Sequence, residues 1–250
     1  MLKKRAHSNN LMRIKLENAS VLSKAVELIS ELVTEVKIRV NEYGLSITAI
    51  DPANVAMVGL RIPKKSFSEF DSGSETLGVN LDSLKRILKR SSGQLVLEKK
   101  ENLLYIQMED RIKRNFTLSL IEIESEDKEM PSLDFSARVE LQSEDLIDSV
   151  EDCAVVADAC SFIVKEGKFV IEAKGMNSTQ TEFSGDEATI NAESCKSRYS
   201  IEYLQKFIKA SKLTEKTVLN FADDHPLRMD VKTEAIELSY ILAPRVETED

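Results

Sequence analysis

The run Asn80-Leu81-Asp82-Ser83-Leu84-Lys85-Arg86-Ile87-Leu88-Lys89 returns, in pattern, as Ser200-Ile201-Glu202-Tyr203-Leu204-Gln205-Lys206-Phe207-Ile208-Lys209 in this chain of 250 residues. Leu81 falls over Ile201, Leu84 over Leu204, Ile87 over Phe207 and Leu88 over Ile208; Arg86 falls over Lys206 and Lys89 over Lys209. Repetition at a period of about 120 residues is a strong limit, because the fold must then make one unit twice. Further matches extend it. Tyr43-Gly44-Leu45-Ser46-Ile47 resembles Glu166-Gly167-Lys168-Phe169-Val170, and Phe116-Thr117-Leu118-Ser119-Leu120 parallels Leu238-Ser239-Tyr240-Ile241-Leu242.

Each half reads as strand, helix, a run of antiparallel strands, a second helix and further strands. Helices are expected to begin near Ser20, Asn80, Ser143 and Ser200, where a short polar residue precedes apolar positions at helical spacing. Most other patterned segments alternate with period two, and the Gly44 and Gly167 signals mark tight turns between strands. The class is therefore α+β: two similar domains of antiparallel sheets with helices on one face. Residues 12–120 form the first domain, 121–133 a mostly charged connector and 134–247 the second domain. Residues 1–11 read as a frayed leader and 248–250 as a tail.

Composition narrows the chemistry. No window approaches the run of about 20 apolar residues that a membrane helix needs, and the basic Met1–Arg5 stretch is followed by polar Ser8-Asn9-Asn10 rather than an apolar segment. A cytosolic protein is expected. Cys153, Cys160 and Cys195 contain no Cys-x-x-Cys pair and suggest neither a disulfide framework nor a zinc site. The eight glycines form no phosphate-binding loop. His7 lies in the leader, which leaves His225, beside Asp223 and Asp224 and before Pro226, as the imidazole available for chemistry. Consecutive residues do not converge on one point as a triad or metal site requires, so this segment reads as a turn. No cofactor, no metal and no enzymatic activity are expected.

The formal charge is −9, yet its distribution is uneven. At about 100° per residue, Lys85, Arg86, Lys89 and Arg90 occupy an arc of about 140°, and Leu81, Leu84, Ile87 and Leu88 occupy the opposite side. Lys206, Lys209 and Lys212 share a similar arc, opposed by Leu204, Phe207 and Ile208. On the residues alone, a cationic helix face is either solvated or set against phosphate. Two equivalent faces in an acidic chain fit phosphate attraction, which needs no base-specific residues.

Three runs carry a resemblance: Asp51-Pro52-Ala53-Asn54-Val55-Ala56-Met57-Val58, Gly78 to Lys89, and Tyr240-Ile241-Leu242-Ala243-Pro244-Arg245-Val246-Glu247. They resemble the proliferating cell nuclear antigen family, the sliding clamps of archaeal and eukaryotic DNA replication, and are closer to its archaeal members. The likeness spans Met12 to Glu247. It implies a DNA clamp fold, in which subunits assemble as a trimeric ring around duplex DNA, with helices lining the hole and sheets outside. Edge strands would close the ring. By that resemblance one subunit edge comprises Arg111, Lys113, Arg114, Asn115, Phe116 and Thr117. The other comprises Ser178, Thr179, Gln180, Thr181, Glu182 and Phe183.

The family's DNA-facing positions correspond here to Lys24, Arg86, Lys89 and Lys209, with Lys85, Arg90, Lys206 and Lys212 as additions. The helix beginning at Ser143 departs from the family pattern, since it carries Glu144, Asp145, Asp148, Glu151 and Asp152. Glu27 and Glu31 flank Lys24 on the first helix. The expected lining is thus dominated by the second helix of each half. The resemblance also implies an outer pocket for short Gln-containing peptides with aliphatic and aromatic anchors, carried by DNA polymerase, the clamp loader, flap endonuclease and DNA ligase. Its residues correspond to Ile50, Val55, Met57, Met130, Pro131, Pro226, Ile241, Leu242, Ala243 and Pro244. Without the resemblance, Ile50, Val55 and Met57 read as core. The family implies a processivity factor acting at the nucleoid, or in the nucleus of a eukaryote, made of three copies or of related subunits. The alternative is a two-domain scaffold that binds proteins and not DNA.

Overall fold

The computed structural model describes residues 12–90 and 92–246; the expected leader 1–11, Glu247 and the tail 248–250 lie outside them. In chain order the first half contains β1 (Met12–Leu16), α1 (Ser20–Ile29), β2 (Glu35–Asn41), β3 (Gly44–Ile50), β4 (Ala56–Pro63), β5 (Glu69–Asp71), β6 (Glu75–Asn80), α2 (Leu81–Leu88), β7 (Gln94–Lys100), β8 (Leu103–Glu109) and β9 (Lys113–Ser119). The second half repeats the series: β10 (Ala137–Gln142), α3 (Ser143–Val156), β11 (Ala159–Lys165), β12 (Lys168–Lys174), β13 (Ser178–Phe183), β14 (Ala188–Ala192), β15 (Cys195–Ser200), α4 (Ile201–Ser211), β16 (Lys216–Phe221), β17 (Leu227–Lys232) and β18 (Glu237–Leu242). A single 3-10 turn, Lys64–Ser66, follows β4. The four expected helix starts agree with those observed to within one residue.

Two compact units result. The first comprises the described residues through Ser30, with Thr34–Ile47 and Arg61–Glu126; the second comprises Glu31–Val33, Thr48–Leu60 and the described residues from Asp127 onward. In the first, an antiparallel sheet runs β5-β1-β7-β8-β9, and β2 pairs with both β3 and β6. In the second, one sheet runs β14-β10-β16-β17-β18 and another β13-β12-β11-β15. The two series are superimposable in order: β5-β1-β7-β8-β9 corresponds to β14-β10-β16-β17-β18. The second unit takes in part of β4 because β4 is hydrogen-bonded to β18.

Alternation explains which face each strand buries. Met12, Ile14 and Leu16 of β1 and Ala137, Val139 and Leu141 of β10 point inward, with more exposed residues between them. Leu81, Leu84 and Leu88 bury the apolar side of α2, a contribution of about 1.5–3 kcal/mol each. Ile201, Leu204, Phe207 and Ile208 do the same for α4, where Phe207 stacks on Tyr240 at 4.5 Å between ring centres. Asn80 caps α2, its side-chain oxygen accepting the Ser83 N–H at 3.0 Å. Ser200 holds the equivalent place before α4 but makes no side-chain cap. The two matched turns both need positive φ, +133° at Gly44 and +75° at Gly167. Among the described residues no helix is long and apolar enough to cross a membrane.

Candidate functional site

Seven of the eight candidate cations lie on α2 and α4 or just beyond their last turns, Lys24 lies on α1, and four of the eight are engaged. Arg86 and Arg90 are exposed and form no ion pair among the described residues; the same holds for Lys24 on α1 and Lys212 at the end of α4. Lys85 is half-buried and donates to Ser30 Oγ at 3.0 Å. Lys89 lies just beyond the last turn of α2 and meets Glu27 at 2.9 Å. Lys209 meets Glu31 at 2.9 Å, and Lys206 meets Glu202 at 3.1 Å while resting 4.9 Å from the Tyr203 ring centre. Glu27 of α1 and Glu31, which lies beyond the end of that helix, therefore act on Lys89 and Lys209, not on Lys24 as adjacency in sequence suggests. Such half-exposed pairs contribute about 0–1 kcal/mol and can exchange with phosphate. On α3, Glu144, Asp145, Asp148, Glu151 and Asp152 are exposed, and the first four line a groove of about 790 Å³ with Lys212 and Glu215.

Of the outer candidate residues, Val55 and Ala243 meet at the β3–β4 turn and Met130 lies against β4. Ile50, Val55 and Met57 are half-buried rather than core. The Val55 carbonyl accepts the Ala243 N–H at 2.8 Å, which joins the turn to the segment after β18. Met130 lies against Gly59: a Cβ built there would stand 3.0 Å from Met130 Cγ, so glycine provides the room. Pro226, Ala243 and Pro244 are half-buried and Pro131 is exposed. Ile241 is 6% exposed, and Leu242, at 1%, shares the core face of β18 with Leu238 and Tyr240 by strand alternation. Leu242 thus supports this surface from beneath instead of lining it.

Asp51 organises the turn and was legible only as part of a family run. It is 5% exposed. Its Oδ1 accepts the N–H groups of Val55 and Ala56, both at 2.8 Å, and its Oδ2 accepts the Ala53 N–H at 3.1 Å and the Tyr203 hydroxyl at 2.6 Å. Burial alone would raise the Asp51 carboxyl, but these donors, Tyr203 foremost, hold it below its ordinary value. The shared hydrogen bond pushes Tyr203 up to about 12.

The two expected edges are terminal strands of their sheets. β9 ends the five-stranded sheet and β13 ends the four-stranded one. Arg111 sits in the bend before β9, not on the strand, and Arg114 pairs with Asp110 at 3.1 Å. Lys113, Asn115 and Thr117 are exposed, alternating with half-buried Arg114 and Phe116. On β13, Ser178, Gln180 and Glu182 are exposed, and Thr179 and Thr181 half-buried. Glu182 is paired with Lys168 at 2.6 Å, and Phe183 is buried, stacked on Phe169 at 5.8 Å. Phe183 therefore belongs to the core, because β13 turns its last residue inward.

The Asp223-Asp224-His225 segment forms a turn. Asp223 Oδ1 accepts the Lys196 N–H at 2.7 Å, Asp224 has φ of +44°, and the His225 carbonyl accepts from Tyr199 OH at 2.8 Å. The His225 ring packs edge-on against Phe135. All three cysteines are free and buried, and the described residues hold no cluster of three or more side chains suited to a metal ion.

The fold is a repeated sheet-and-helix unit in two compact copies, with cations on or beside the second helix of each. The family models for the N-terminal and C-terminal domains of proliferating cell nuclear antigen match residues 11–130 and 129–246. The chain is 36% identical over 243 residues to the "DNA polymerase sliding clamp" of Thermococcus sibiricus, covering 92% of this chain and 97% of the relative. The corresponding protein of Pyrococcus furiosus is 33% identical with the same coverage. A crystal structure of proliferating cell nuclear antigen from Thermococcus kodakaraensis superimposes with a TM-score of 0.87 at 26% identity, covering 94% of this chain and all of that one. The structure from Entamoeba histolytica, at 24% identity and a TM-score of 0.87, shares the fold. The chain belongs to the proliferating cell nuclear antigen family.

Proposed function

We propose that this protein is a subunit of a DNA sliding clamp: a non-catalytic ring that encircles duplex DNA, keeps DNA polymerase processive and offers a shared docking surface to other replication and repair proteins. One observation carries the ring. By position in the repeat, β18 corresponds to β9 and β4 to β13, and β18 is hydrogen-bonded to β4. The free β9 edge of one copy and the free β13 edge of the next are the same pair of strands left unjoined, so they join in the same way. A head-to-tail contact of this kind closes into a ring when its rotation permits, and closure removes both edges. Three subunits of two units each supply six similar parts.

In this reading residues 12–120 and 134–247 are the clamp domains, 121–133 the connector. Lys24, Lys85, Arg86, Lys89, Arg90, Lys206, Lys209 and Lys212 face phosphate without reading sequence. Arg111, Lys113–Thr117 and Ser178–Glu182 form the subunit contact. Ile50, Val55, Met57, Met130, Pro131, Pro226, Ile241, Ala243 and Pro244, with Leu242 beneath, dock partner peptides from DNA polymerase, the clamp loader, flap endonuclease and DNA ligase. Aliphatic and Met side chains suit such a site because they adapt to different aromatic anchors. The protein works in the cytoplasm at the nucleoid, or in the nucleus in a eukaryotic source. Sedimentation and crosslinking of the purified chain, followed by loading onto DNA, test the proposal. A trimer retained on circular DNA that slides off after linearisation is the expected result; equal retention on both forms refutes topological binding.

A further inference from the structure

The buried Asp51 carboxylate gathers four hydrogen-bond donors, and one of them comes from a helix, not from the turn itself. Asp51 and Tyr203 are 152 residues apart in sequence. The Asp51 N–H donates to the Ala56 carbonyl at 2.9 Å, and the Asn54 N–H donates to the Asp51 carbonyl at 3.0 Å. Closing the turn this tightly sets Asn54 at φ of +58°, the left-handed region that asparagine enters more readily than most side-chain-bearing residues. The carboxylate holds that conformation in place. With the Tyr203 hydroxyl removed, Oδ2 keeps only the longer Ala53 bond at 3.1 Å, in a site where the charge is 5% exposed.

We infer that Tyr203, on the helix that presents Lys206 and Lys209, is the positioning residue for the β3–β4 turn, and through it for the Val55 wall of the partner-peptide site. The inference rests on the docking reading for its functional part alone. Tyr203 bonds to the turn at Asp51 Oδ2. It acts through Asp51, which fixes the Val55 and Ala56 amides, and Val55 in turn holds Ala243 through its carbonyl. The ring has its own neighbour, with Lys206 Nζ 4.9 Å from its centre. A phenylalanine would preserve that contact and the packing, so the hydroxyl is the group that distinguishes positioning from bulk.

Tyr203→Phe in the full chain tests this, with hydrogen–deuterium exchange over residues 51–58 and titration with a labelled peptide carrying Gln, aliphatic and paired aromatic anchors. Loss of one hydrogen bond to a buried carboxylate predicts exchange of the Val55 and Ala56 amides about tenfold faster and peptide affinity about threefold to tenfold weaker. The denaturation midpoint should move far less than the local exchange. Asp51→Asn, which weakens the same bonds from the other side, should give the same pattern. Unchanged exchange in Tyr203→Phe overturns the positioning role. Faster exchange with unchanged peptide affinity overturns its link to docking. Failure of the unaltered protein to bind the peptide overturns the docking reading instead, and the exchange measurement still decides whether Tyr203 holds the turn.

Discussion

Replacing Glu27 and Glu31 together by Gln should strengthen DNA binding and make it more salt-sensitive. Each glutamate holds a cation at 2.9 Å, Lys89 and Lys209 respectively, and all four side chains are at least partly exposed. The amides keep the size of the carboxylates while removing their charge. Each half-exposed ion pair is worth about 0–1 kcal/mol, so the variant should lose no more than about 2 kcal/mol of stability. Both lysines then become available to phosphate. Each added phosphate contact steepens the plot of log K against log salt by about 0.9, so two add about 1.8. Across a fourfold rise in salt that is an extra loss of about 12-fold in affinity, on top of a stronger complex at the low-salt end. Anisotropy of a labelled duplex, titrated at several salt concentrations, reads both quantities. A control, Glu101→Gln with Glu166→Gln in two hairpin turns, changes net charge equally. If the slopes of the variant and the unaltered protein coincide, Lys89 and Lys209 do not face phosphate, and the cationic-face reading fails for them.

Val55→Asp places a charge at a half-buried position of the proposed docking surface and should weaken peptide binding at least tenfold, as calorimetric titration would show, while sedimentation should report the same assembly as for the unaltered protein. The same substitution at Ile241, 6% exposed, should lower stability as well and so separates the two effects less cleanly. Acid should act on Asp51. Because its folded-state pKa lies below the ordinary 3.8, its stabilising contribution is complete above that value and is lost as pH falls through the lower one. Denaturant unfolding measured down through this range should show a steeper decline for the unaltered protein than for Asp51→Asn. Tyr203, pushed up to about 12, works in the opposite sense: its contribution is complete below the ordinary value of 10 and fades as pH rises toward 12.

What the sequence made legible was local. The apolar spacing of Leu81, Leu84 and Leu88, the cap at Asn80 and the turns at Gly44 and Gly167 each involve residues a few positions apart, and each appears in the structure where the pattern set it. The repeat was legible because both copies preserve those short-range signals. Interactions that join distant segments were not. Glu31 reaches Lys209 across 178 residues, and Tyr203 reaches Asp51 across 152, with no local spacing to announce either. Glu27 and Lys89, 62 residues apart, meet because α1 and α2 pack side by side. Leu242 and Phe183 illustrate a finer limit. Both belong to runs assigned to surfaces, yet strand alternation turns their individual side chains inward.

The tempered cations also bear on how such a protein holds DNA. An open-surface DNA-binding protein would gain from every free lysine, and a glutamate at 2.9 Å from Lys89 or Lys209 would cost it affinity. A closed ring has no such need, because escape requires breaking a subunit contact and not merely releasing phosphates. The charge pattern follows from that difference. In the proposed clamp, Arg86 and Arg90, which have no ion pair among the described residues, would provide attraction, while Lys89, Lys206 and Lys209 would exchange between carboxylate neighbours and phosphate. Each exchange replaces one weak charge pair by another, so translation along the duplex meets low barriers. The exposed acids of α3 would extend the same logic in the proposed ring, since carboxylates beside phosphate oppose a tight local grip on DNA. In that reading retention would be set by the β9 and β13 edges, and mobility by the balance of charges on the helices.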